Sequence, residues 1–312
     1  MVLMAMPSPR LAPAAGRGPF DLDDDTTYRR WRQAKLQQQP RGVDDLIVDV
    51  ADPRRLSAAE RAALLQRIRQ TNMALYRSPV TAPDKSLPRL LGAQLGLHRL
   101  DGNWLADEDG ISRITVASGQ GLQDRPTAAY IPYTDRAIQW HTDGYYHPQH
   151  RRIHGMILHC VQPARQGGET RLMDHEMAYI ALRDADPRWV RALMVDDAMT
   201  IPARVGEAGE ERAAQCGPVF SVDAGSGALH MRYTARTRSI EWKADECTRE
   251  AVAFLRQLLG GDEAQRLRLR LRPGMGIVGH NVLHERTAFV DDPTAPRLLY
   301  RARYLDRVQA AG

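Results

Sequence analysis

Lysine is almost missing from this chain. It stands only at Lys35, Lys85 and Lys243, so arginine carries nearly all of the positive charge. A GC-rich coding sequence is a simpler account of that bias than any function. Aromatic residues are few, at 6%, and 38 acidic residues are scattered among 43 basic ones to leave a net charge of +5. A nucleic-acid binder would gather its cations into a stripe with aromatics between them, and no such stripe is present. Cysteine is scarce too. Cys160, Cys216 and Cys247 are odd in number, far apart and form no C-x-x-C pair. That pattern speaks against a disulfide framework or a structural zinc site, and for a reducing compartment. No apolar run reaches the ~18 residues that a membrane helix needs. Neither nucleic acid nor membrane is therefore expected as a partner. The P-loop and G-x-S-x-G are also absent, and the one G-x-G-x-x-G, Gly274 to Gly279, runs into an expected strand with no helix after it, which leaves nucleotide-fold and serine-hydrolase readings without support. The first 20 residues lack acids, and their prolines break any amphipathic targeting helix, so they read as a disordered tail. Residues 21–312 read as one cytoplasmic domain, with homo-oligomerisation left open.

What is present is a run of helices followed by many strands. Asp25 to Gln38 has a helical pattern. Ser57-Ala58-Ala59-Glu60 is a capping box, ahead of a helix expected to run to about Tyr76. Leu87 to Leu97 continues the helical part. Strands are expected at Leu46–Val50, Ile111–Ala117, Ile153–Val161, Thr170–Met173, Leu267–Leu271, Met275–Leu283 and Arg297–Asp306. Helices interrupt them at His175–Leu182, Pro187–Met194 and Asp245–Leu259. The expected class is α+β, mainly β: a sandwich or barrel decorated by helices.

The chemistry centres on Trp140-His141-Thr142-Asp143. On a strand, residues two apart share a face, so His141 and Asp143 can grip one ion. A third ligand must come from elsewhere, and His284 is the best candidate. Two histidines and a carboxylate on one side of a metal suit non-haem Fe(II) and dioxygen. His280 is a rival, but on a strand it lies about 13 Å from His284, so one ion cannot take both. Arg297, Leu299, Arg301 and Arg303 share one face of the last strand. That face is either solvated or lines an internal pocket, where a guanidinium fork would pair with a carboxylate. Arg232, Arg236 and Arg238 are equally open between a solvated loop and an anionic substrate's contacts. Tyr145 and Tyr146 either wall the pocket or belong to the core. His147, His150, His154 and His159 read as ordinary core or surface histidines.

The pieces in order are His141-Thr142-Asp143, then Gly167-Gly168-Glu169-Thr170, then Asn281-Val282-Leu283-His284-Glu285-Arg286-Thr287, then Arg297 and Arg301. Over residues 100–306 the chain resembles the taurine dioxygenase (TauD/TfdA) family of Fe(II)- and 2-oxoglutarate-dependent oxygenases. The resemblance implies a double-stranded β-helix, or jelly roll. It implies iron held by His141, Asp143 and His284, and the C5 carboxylate of 2-oxoglutarate paired with Arg297 and Thr170. It places Arg301 near co-substrate and substrate as a further catalytic-site residue, and Trp140 and Asn281 behind the ligands. The implied reaction hydroxylates or desaturates a small anionic or zwitterionic metabolite with O2, releasing succinate and CO2. Taurine itself is not expected, because the residues after the His-x-Asp motif differ from the taurine enzyme's. Two alternatives stand beside this reading: a cupin-like metal-binding protein without turnover, and a zinc hydrolase using the same triad.

Overall fold

Period-two alternation along the central strands sorts their side chains into opposite faces, and that sorting builds the molecule. The computed structural model describes residues 18–102, 109–116, 131–205, 211–236, 240–261 and 267–309. The expected tail falls almost wholly outside the described residues, as does Arg238. In chain order the main strands are β1 (Ile47–Asp49), β2 (Met73–Arg77), β3 (Ser112–Ile114), β4 (Ile138–His141), β5 (Gly155–Gln162), β6 (Thr170–Met173), β7 (Leu267–Leu269), β8 (Met275–His280), β9 (Leu283–Arg286) and β10 (Leu298–Tyr304). The helices are α1 (Asp25–Gln37), α2 (Ala58–Thr71), α3 (Leu87–Gln94), α4 (His175–Ala185), α5 (Pro187–Leu193) and α6 (Glu246–Gly260).

A six-stranded sheet runs β1-β2-β8-β5-β10-β3, and a four-stranded sheet runs β7-β6-β9-β4. Only the β1–β2 pairing within these sheets is parallel. Met73, Leu75, Cys160, Ile277 and Leu299 from the large sheet share one core with Leu172, Leu267 and Leu269 from the small one. The outer face of the large sheet, with Tyr76, Ile157, Val278 and Tyr304, packs under Leu64, Ile68, Leu87 and Leu91 of α2 and α3. The outer face of the small sheet, with Trp140, Met173 and Leu283, packs against Tyr28, Tyr179, Val190 and Leu255 of α1, α4, α5 and α6. Two sheets between two helical layers result, and the site lies on the inward side of the small sheet. Lys35, one of the three lysines, is buried and ties α1 to α4 through Asp174 at 2.6 Å and Glu176 at 2.5 Å.

Two expectations are corrected. The capping box at Ser57 and Glu60 opens α2 as read, but the helix stops at Thr71 rather than near Tyr76. Asn72 takes a left-handed conformation (φ 61°) that asparagine tolerates, and Met73 to Tyr76 are entirely buried as a central strand. A continuous apolar run does not by itself distinguish a buried strand from a helix. Met275 to Leu283 is likewise not one strand. It breaks after His280, and Asn281 and Val282 carry the chain from the large sheet to the small one.

His159 points to the outer face of β5, fully buried, with its Nδ1 2.8 Å from the Tyr76 hydroxyl. Burial pushes it down to about 4 from an ordinary 6.5. Between those values the unfolded chain binds the extra proton, so this contribution to stability is complete above about pH 6.5 and falls as the pH drops toward 4. The loss between pH 7.5 and 5 is about 2 kcal/mol for this one group. Urea unfolding at the two pH values is expected to show it, and His159→Gln to lose correspondingly less. Equal losses in the two proteins would exclude His159 as the source.

Candidate functional site

β4 delivers His141 to the inward side of the small sheet while Trp140, one residue earlier, points outward into the helical core. Thr142 is held at both ends: its N–H donates to the Tyr233 carbonyl and its hydroxyl accepts from the Tyr233 N–H, each at 3.0 Å. The chain then turns sharply at Gly144 (φ 68°), where a Cβ would lie 2.5 Å from Ile153. That turn leaves Asp143 facing back toward His141. On the neighbouring strand, His284 of β9 stands directly opposite His141 in the register. The two rings lie 4.2 Å apart, and His141 Nε2 is 4.0 Å from Asp143 Oδ1. One ligand atom from each of His141, Asp143 and His284 falls within 4.8 Å of the others, and this is the one such group among the described residues.

The tautomers are fixed from behind. His141 Nδ1 lies 2.8 Å from the Gln139 carbonyl and His284 Nδ1 2.9 Å from the Val282 carbonyl. An N–H at each Nδ1 leaves a bare lone pair at Nε2, aimed at the shared space. Burial, together with the facing His284, pushes His141 down to about 3, so its imidazole is neutral. Burial alone would raise Asp143, but Arg301 and Arg303 outweigh it and hold the carboxyl below its ordinary range. Asp143 Oδ2 is buried with no hydrogen-bond partner. Asn281, on the crossover between sheets, clasps the Asp143 backbone from both sides: its carbonyl oxygen accepts from the Asp143 N–H at 2.8 Å, and its amide donates to the Asp143 carbonyl at 2.7 Å. Two imidazoles, one carboxylate with an orphaned oxygen and fixed backing groups fit a divalent cation.

Arg297 lies just before β10, buried to 5% exposure, with Nη1 unpartnered. It shares a small pocket with Thr170, Cys160, Gly168, Leu271 and Leu299. Burial lowers the guanidinium to about 10, which still leaves it charged. A buried cation with a free donor needs an anion, and a planar carboxylate matches its fork. Of the two readings left open, the β10 face is the internal one. Arg301 meets Asp143 directly, Nη1 to Oδ1 at 3.1 Å. Arg303, two residues on, donates to the Tyr146 hydroxyl at 2.9 Å and lies 2.5 Å from Asp101. Asp101 is a buried acid that no motif marks. Only the alternation along β10, which places Arg303 beside Arg301, hints that a counter-ion is required.

Other candidates take different places. Arg232 is neither a solvated residue nor a free anion contact, and that is a correction. Its guanidinium donates to the carbonyls of Tyr145, Met199, Gly217 and Gln215, pinning three backbone segments. Arg236 is exposed. Tyr145 and Tyr146 are half-buried against the helical core. His280 hydrogen-bonds the Asn72 side chain at 2.7 Å and stands outside the triad.

A model of the family described as Taurine catabolism dioxygenase TauD, TfdA family matches residues 33–303. A uridine-5'-phosphate dioxygenase of an Amycolatopsis species is 34% identical over 200 residues, spanning 61% of this chain and 69% of that protein. A protein of the same description from a Streptomyces species is 32% identical over 199 residues, spanning 61% and 68%. Among solved structures, an asparagine oxygenase in complex with Fe(II), 2S,3S-3-hydroxyasparagine and succinate matches with a TM-score of 0.57 at 19% identity over 80% of each chain. That last likeness concerns the fold alone.

Proposed function

The chain belongs to the TauD/TfdA dioxygenase family, and from that membership we propose that His141, Asp143 and His284 hold its Fe(II) while Arg297 and Thr170 seat the far carboxylate of 2-oxoglutarate. It is an Fe(II)- and 2-oxoglutarate-dependent dioxygenase acting on a small metabolite. That activity displaces the two alternatives drawn from the sequence, a metal-binding protein without turnover and a zinc hydrolase. The two sheets are read as the walls of a double-stranded β-helix. Three free cysteines support a cytoplasmic location.

Bound there, Fe(II) would let O2 act as the oxidant, with 2-oxoglutarate as co-reductant leaving as succinate and CO2, one oxygen atom going to succinate and the other to a substrate carbon as its hydroxyl. The protein's part is to position and shield. His141 and His284 turn Nε2 toward the shared space because the backbone carbonyls behind them take Nδ1. Asp143 stays ionised beside Arg301. Arg297 fixes the co-substrate's remote end in a pocket closed by Leu271 and Leu299, which sets the direction in which its keto acid reaches the metal. The observation that carries this reading is that one ligand atom from each of His141, Asp143 and His284 lies within 4.8 Å of the others.

The substrate is proposed to be a small anion. The related proteins described as uridine-5'-phosphate dioxygenases make nucleoside monophosphates the first class to test. Fe(II)-loaded protein with 2-oxoglutarate and O2 is expected to release succinate faster with uridine 5'-phosphate or another small anion than without. If neutral metabolites stimulate succinate release and no anion does, the substrate class is wrong.

A further inference from the structure

We propose that Asp101 is a positioning residue of the metal centre, holding the Arg303 guanidinium out of hydrogen-bonding contact with Asp143 so that this ligand is bonded by one arginine rather than two. The inference rests on the assignment of His141, Asp143 and His284 as the metal ligands.

β10 sets Arg301 and Arg303 on the same inward face, about 6.6 Å apart along the strand. Arg301 already occupies one side of the Asp143 carboxylate. Arg303 has the reach to take the other, since it contacts Tyr146, three residues beyond Asp143. It is 3% exposed and cannot turn its charge to water. A buried cation must have an anion, and the carboxylates acting on Arg303 are Asp143 and Asp101. Asp101 wins because it is locked at both ends. Its side chain is fully buried, with Oδ2 2.5 Å from Arg303 Nη2, and its backbone N–H donates to the Arg303 carbonyl at 2.8 Å. Its other oxygen accepts from Arg151 Nε at 2.9 Å, and His147 Nε2 stands 3.9 Å away. Arg151 is 40% exposed at the side chain, so it can turn to solvent if that acid is lost. Arg303 cannot.

Removing the Asp101 charge therefore leaves Arg303 with Asp143 as its remaining buried anion. A guanidinium on the partnerless Asp143 Oδ2, with Arg301 already on Oδ1, leaves the carboxylate no oxygen free of an arginine for the metal. Asp101 thus acts on the metal through Arg303, without touching it.

The test is a double-mutant cycle read as Mn(II) affinity, by electron paramagnetic resonance of the free ion, on full-length protein checked by thermal melting. D101N is expected to bind Mn(II) about 10- to 100-fold more weakly than wild type. R303M is expected to stay within about twofold of wild type, and D101N/R303M within about twofold of R303M, because the competitor is gone. D101N binding as tightly as wild type would overturn the proposal. So would the same loss from D101N on the R303M background, since Asp101 would then act through the loop it braces. Should D101N fail to fold, R303M against the double variant still decides: equality supports the proposal, and a drop of about tenfold or more overturns it. His284→Ala separates the two levels. Undiminished Mn(II) binding in that variant would remove the triad itself.

Discussion

His284→Ala protein is expected to retain no stoichiometric Fe(II) and to release no succinate above background. β9 places His284 opposite His141 in register, and the Val282 carbonyl fixes which nitrogen faces the space between them. Losing a direct ligand should cost more than the ~10–100-fold typical of groups that only orient ligands. No neighbour can step in. His280, four residues earlier, ends a strand of the other sheet and is bonded to Asn72. His280→Ala should therefore keep its iron. Metal analysis after anaerobic loading and desalting checks both variants. Full iron in His284→Ala, or loss of iron in His280→Ala alone, would reverse the ligand assignment. The His284 side chain is only half-buried, so its removal should leave the fold intact.

Arg297→Ala should separate the co-substrate from the metal. The variant is expected to load Fe(II) normally, because Arg297 stands in the pocket with Thr170 and Cys160 and contacts none of the three ligands. Its affinity for 2-oxoglutarate should collapse. Truncating one partner of a buried, hydrogen-bonded charge pair costs about 2–5 kcal/mol, which is ~30-fold to several-thousand-fold in affinity. Arg297→Lys should recover only part, since an ammonium keeps the charge but not the planar fork. The readout is the 2-oxoglutarate KM measured beside iron content. An unchanged KM in Arg297→Ala would remove this residue from the co-substrate site.

The parts of the site legible in the sequence are those set by local geometry. The two-residue spacing of His141 and Asp143 marked the pair, although Asp143 lies past the end of β4 and is brought round by the turn at Gly144, and strand alternation put Arg301 and Arg303 on one face of β10 with Arg297 just before it. That this face is internal could not be read from alternation, which looks the same whichever side meets water. The end of α2 was missed because Met73-Ala74-Leu75-Tyr76 is apolar throughout and carries no period; only Asn72 marks the break. The crossover at Asn281 was missed because His280-Asn281 carries no Gly or Pro turn signal to divide Met275 to Leu283 between two sheets. Arg232 was misjudged because its partners are backbone carbonyls of distant segments, and these leave no trace in residue type. Asp101 lies some 40 positions before the His-x-Asp motif and meets Arg303 only through the tertiary fold.

The claim on which all of this depends is that a single Fe(II), held by residues from β4, the turn after it and β9, chelates the keto acid of 2-oxoglutarate. Anaerobic addition of 2-oxoglutarate to the Fe(II)-loaded protein tests it most directly. A visible metal-to-ligand charge-transfer band is expected in wild type and absent from His141→Ala and His284→Ala. A wild-type protein that binds Fe(II) and 2-oxoglutarate without developing that band, or a band that survives in both histidine variants, would contradict it.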